Sequence, residues 1–73
     1  MTRDEFITQL QDVLQTESVL TMETVLEDLD EWDSLSMMAT MVFLDEDCGV
    51  KMKMADIKKF RTVREIAEKA GVQ

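Results

Sequence analysis

A chain of 73 residues supports one domain with a thin core, and 16 acidic against 8 basic residues give a net charge of −8, which opposes binding to nucleic acid or to an anionic membrane. The absence of histidine excludes His-based triads, histidine metal sites and imidazole general bases, and a single cysteine excludes an internal disulfide. Hydrophobic residues at 45% with charged residues at 33% and no proline describe a globular chain in which helices run uninterrupted, and with no signal peptide the expected compartment is the cytoplasm.

The charge is divided along the chain. Residues 1–47 carry thirteen acids and one base, whereas 48–73 carry seven bases and three acids, or −12 in front and +4 behind. Basic protein surfaces are the matching partners for the front half.

Thr2-Arg3-Asp4-Glu5 has the spacing of a capping box, with Met1 and Phe6 placed as a staple. Phe6, Ile7, Leu10, Val13 and Leu14 then recur at helical spacing, which predicts a first helix to about Gln15. From Thr16 to Trp32, Ser, Thr and acids are mixed with apolar residues of no sustained period. This predicts a long ordered loop, pinned to the core by its apolar residues and holding at most one helical turn.

Asp33 reads as an N-cap, with Trp32 and Met37 as a staple, and Gly49 as the left-handed stop of a second helix ending at Cys48. Leu35, Met38, Met41, Val42 and Leu44 are expected to face inward. In 51–60, Val50, Met52 and Met54 alternate like a strand while Met54, Ile57 and Phe60 fit a helical turn. A lone strand has no partner here, so a short third helix is expected. Thr62-Val63-Arg64-Glu65 is a second capping box, followed by Ile66, Ala67 and Ala70 on one face and Gly71 as the stop. The expected fold is all-α, a four-helix bundle with a long first loop and a short third helix.

Ser34 follows the Asp33 cap, where a hydroxyl is exposed beside backbone amides that lack helical partners. An anion attached there is stabilised by those amides and by the helix dipole. For the tripeptide Asp33-Ser34-Leu35 alone, a serine that merely opens a helix is the simpler interpretation. The wider pattern changes that balance: Trp32-Asp33-Ser34-Leu35 after a long acidic loop and before an apolar helix, then Gly49-Val50, then Thr62-Val63 opening the last helix, resembles the acyl carrier protein family over essentially the whole chain.

The resemblance implies 4'-phosphopantetheine attached to Ser34 from coenzyme A by a phosphopantetheinyl transferase, with Asp33 and Leu35 shaping recognition. Acyl groups then ride as thioesters on the arm, so that each docked enzyme meets its substrate as an intramolecular partner. The carrier itself is expected to be non-catalytic. Asp45, Glu46 and Asp47 are candidate docking acids for enzymes with basic surfaces, and Met38, Met41, Val42, Ile57 and Ile66 are candidate walls of an acyl pocket. Met1 followed at once by a capping box suggests a free-standing carrier over 1–73, and a monomer is expected.

The sequence also departs from the fatty-acid carriers it resembles. These usually place Leu-Gly before the Asp-Ser-Leu and acids just after it, whereas here Leu29 is followed by Asp30-Glu31-Trp32, and Ser36 and Ala39 stand at the acidic positions. Lys53, Lys58 and Lys59 fall in a segment that is usually acidic. A dedicated pathway carrier, for fatty-acid, polyketide or related synthesis, is therefore expected over a housekeeping one. The alternatives are an aminoacyl or peptidyl carrier, and a helical adaptor that binds a partner helix in a Met-rich groove.

Two further groups carry no chemistry of their own: the acids Asp28, Asp30 and Asp33 read as a solvated, partner-facing surface, and Cys48 as a packing residue. A calcium loop beginning at Asp28 needs Gly at position 33 and Glu at position 39, where this chain has Asp and Ala. Cys48 has no base beside it in sequence and is expected to be a small core residue.

Overall fold

The computed structural model describes residues 1–72. Among these, four α-helices form in the order α1 (Arg3–Leu14), α2 (Ser34–Cys48), α3 (Met54–Ile57) and α4 (Val63–Ala70), with a 3-10 turn at Leu26–Asp28 and no strand beyond a single bridge between Val25 and Thr62.

α1 starts where the sequence places its cap: the Glu5 N–H donates to Thr2 Oγ1 at 3.2 Å and the Thr2 N–H to Glu5 Oε1 at 3.0 Å. The Thr2 N–H bond to the charged carboxylate, helped by the Thr2 hydroxyl, holds the Glu5 pKa below its ordinary value. Phe6, Leu10 and Leu14, one helical turn apart, are buried, and Gln15 ends the helix in the left-handed region at φ 54°. It is the only non-glycine residue with positive φ among the described residues.

Residues 16–33 hold to the core through Leu20, Met22 and Leu26, all buried. They also complete α4. The N–H groups of Val63 and Arg64, which have no partner within their own helix, donate to Thr24 O at 3.1 Å and Met22 O at 2.9 Å, and the Leu26 N–H donates to Arg61 O at 2.8 Å. An ion pair between Arg64 and Glu23 adds to this seam at the surface.

α2 lies against α1 and α3 with a phase that differs from the expected one. Its buried residues are Ser36, Thr40, Phe43 and Leu44, while Leu35, Met38 and Val42 are exposed at 76%, 52% and 47% and Met41 is half-buried. Of the five residues expected inward, Leu44 alone is fully enclosed. The reason is that the middle of α2 is apolar all round, so its periodicity carries no phase. Packing decides it: the Phe43 ring meets Phe6 of α1 at 5.9 Å between centroids, tilted by 44°.

Two hydroxyls can be buried on this face because the helix satisfies them. Ser36 Oγ donates to Asp33 O at 3.0 Å and Thr40 Oγ1 to Ser36 O at 2.8 Å. Gly49, at φ 69°, ends α2 as a left-handed cap. Beyond it, Ile57 of α3 and Val63, Ile66 and Ala67 of α4 close the core.

Candidate functional site

The start of α2 is organised by Asp33. Its backbone is extended, and its Oδ1 accepts the Ser36 N–H at 2.9 Å while its own N–H donates to Ser36 Oγ at 2.9 Å. The pair is a reciprocal capping box with serine in the place of the usual Glu or Gln. Ser36 is thereby enclosed and occupied. The sequence reading assigned it no part in the cap, although the three-residue spacing from Asp33 is the signal that would have found it.

Ser34 occupies the first position of α2 and is exposed. Helix geometry leaves its N–H and that of Leu35 without intrahelical acceptors, so a phosphate ester at this position would have two amide donors and the positive end of the helix dipole nearby. The Asp33 carboxylate, the nearest negative group in sequence, is turned to the Ser36 amide. Of the two serines in this turn, the exposed one fits phosphopantetheine and the buried one does not.

A groove of about 350 Å³ opens beside this turn, between the end of α1 and the start of α2. Val13, Leu14, Leu35 and Ala39 give it apolar walls, and Gln15, Glu31, Asp33 and Ser36 complete its lining. Apart from Asp33 and Leu35, none of these residues was singled out as a site residue from sequence. They come from two stretches of chain, 13–15 and 31–39, which only the packing of α1 on α2 brings together.

The five residues expected to wall an acyl pocket do not share one environment. Ile57 and Ile66 are fully buried, Met38 and Val42 are exposed, and Met41 lies between. Asp45, Glu46 and Asp47 are all exposed in the last turn of α2, where no basic residue offsets the negative end of the helix. Half-buried Cys48 packs against the core, and burial followed by the Asp47 charge raises its thiol pKa, the opposite of an activated nucleophile.

Comparison with known proteins addresses the chain as a whole. A family model described as a phosphopantetheine attachment site matches residues 4–69, while no curated protein and no solved structure matches the chain. Carrier domains of that family hold 4'-phosphopantetheine covalently and are not themselves catalytic. With that match over nearly all of its length and an exposed serine at the capped start of its second helix, the chain belongs to the acyl carrier protein family of phosphopantetheine-bearing carrier domains.

Proposed function

We propose that this protein is an acyl carrier whose 4'-phosphopantetheine arm is joined to Ser34 Oγ through a phosphodiester and whose cargo is an acyl thioester on a dedicated biosynthetic pathway. The observation that carries this reading is the contrast at the start of α2, where Ser34 is exposed on unpaired amides while Ser36 is enclosed in the cap. The chain's part is to present the hydroxyl, hold the phosphate by backbone donors and keep the turn rigid through Asp33. The arm's thiol supplies the thioester chemistry.

Asp45, Glu46 and Asp47 serve as a docking face for the transferase and for acyl-processing enzymes with basic surfaces, in a cytoplasmic monomer. The departures of Ser36, Ala39, Lys53, Lys58 and Lys59 from the fatty-acid pattern support a dedicated pathway over a housekeeping one. An aminoacyl cargo would use the same attachment and differs only in the enzyme that loads it.

Incubation with coenzyme A and a broad-specificity phosphopantetheinyl transferase should add one phosphopantetheine to the intact protein, with fragmentation placing it on Ser34. Ser34→Ala should stay unmodified while its circular dichroism matches the parent, because an exposed hydroxyl outside the cap contributes little to folding. A wild-type mass that never shifts would sink the carrier reading and favour a helical adaptor.

A further inference from the structure

We propose that the groove between α3 and α4 is a docking surface for an acidic segment of a protein partner, one that carries an aromatic or aliphatic anchor among its carboxylates. The groove measures about 390 Å³, and Lys51, Lys59 and Lys69 line it together with Met52 and Phe60. Two acids, Asp56 and Glu65, complete the lining. None of these residues belongs to α1 or α2, so the surface is separate from the turn that displays Ser34 and the inference does not rest on that attachment.

The sign of the groove follows from how its charges are engaged. The Asp56 carboxylate accepts the Lys53 N–H at 3.4 Å, and the Glu65 carboxylate accepts the N–H groups of Thr62 and Arg61, so both acids are turned to the backbone at the starts of α3 and α4. The three lysines have no such partner. Arg64 with Glu23 is the one ion pair among the described residues, and neither of them lines the groove. Lys53, Lys58 and Arg61 are exposed close by in sequence. Ammonium groups gathered without counter-charges repel one another, and a partner that brings carboxylates relieves that repulsion.

The lining also offers apolar surface. Met52 and Phe60 are half-buried, packed against the core while they line the groove. A partly covered aromatic ring with an unbranched thioether gives a partner's apolar side chain something to bury against. Such an anchor supplies most of the binding energy, and the charges around it supply orientation and encounter rate.

The chain's own charge selects the occupant. A nucleic acid or an anionic bilayer extends its negative charge well past a groove of this size, and it would meet a chain of net charge −8 with Asp45, Glu46 and Asp47 exposed just ahead of Lys51. A second copy brings the same net charge. A short acidic segment places its carboxylates on the lysines alone, and screening within about 8 Å at physiological salt weakens the repulsion from more distant acids.

The test uses the unmodified full chain, so its outcome is independent of Ser34. The probe is the peptide Glu-Asp-Leu-Glu-Asp-Phe-Glu-Asp, titrated in nitrogen-15 spectra beside an anchorless peptide with Ser in place of Leu and Phe. Saturable amide shifts should appear at Lys51, Met52, Lys59, Phe60 and Lys69, the anchorless peptide should bind about tenfold more weakly, and added salt should weaken both. Lys59→Glu combined with Lys69→Glu, both exposed, should abolish the shifts while circular dichroism matches the parent. No shift at millimolar peptide, equal affinity for the anchorless peptide, or shifts that survive the double reversal would each overturn the proposal. Equal perturbation of these residues by phosphatidylglycerol vesicles would assign the face to a membrane, and concentration-dependent shifts there without peptide would assign it to a second copy; either result overturns the acidic segment.

Discussion

Asp33 holds together the turn from which Ser34 is displayed, and its two bonds with Ser36 assign it a measurable share of stability. Removing an N-cap acid costs about 1 kcal/mol, within a range of roughly 0.5–2. For a domain of this size that corresponds to a melting temperature lower by about 4–8 °C. Asp33→Ala should show that loss in thermal melts, and Asp33→Asn, which retains an accepting oxygen, should recover most of it. A variant with alanine that melts with the parent would mean that the cap contributes nothing. Ser36→Ala breaks the other half of the same box, so it tests the cap as well and is not a neutral comparison for Ser34→Ala.

At the scale of an element, α2 has two apolar faces with different fates. Phe43 and Leu44 are buried, and Leu44→Ala should cost about 2–5 kcal/mol, a large share of what so small a domain possesses. Leu35, Met38 and Val42 stand one turn apart on the outer face and are exposed. Replacing each by serine should change urea midpoints by an amount equivalent to about 0.5 kcal/mol or less. A loss of 2 kcal/mol or more from Met38→Ser or Val42→Ser would mean that α2 sits with the opposite phase. The hydroxyls of Ser36 and Thr40 make the observed phase possible, since Ser36 finds the cap carbonyl of Asp33 and Thr40 the carbonyl of Ser36, and no buried side-chain nitrogen or oxygen is left unpaired among the described residues.

Across the whole molecule the dominant feature is the division of charge, −12 over residues 1–47 and +4 over 48–73. Arg64 with Glu23 is the one ion pair among the described residues, so the remaining charge is available to partners. Long-range attraction between an acidic carrier and a basic enzyme acts chiefly on the encounter rate and is screened within about 10 Å at 0.1 M salt. Reversing Asp45 and Glu46 to Lys should slow phosphopantetheine transfer at low salt by about tenfold and flatten its dependence on salt, within the range that electrostatic steering supplies. Equal rates for parent and variant at every salt concentration would move the docking face elsewhere.

The sequence by itself determined the features that are local. Caps and stops are read from residues three or four apart, so the starts of α1, α2 and α4 at Thr2, Asp33 and Thr62, and the glycine ends at Gly49 and Gly71, were legible before any packing was known. The acyl carrier family was legible for a similar reason, since its motif surrounds one serine and its helices follow in order along the chain. Tertiary structure decided what depends on facing surfaces. Which side of the uniformly apolar α2 turns inward was settled by the meeting of Phe43 with Phe6, and the seam from Met22 and Thr24 to the first amides of α4 joins residues about forty apart. The groove between α1 and α2 is the furthest from local reading, because Val13, Gln15, Glu31 and Ala39 have no fixed spacing and become neighbours only when α1 closes on α2.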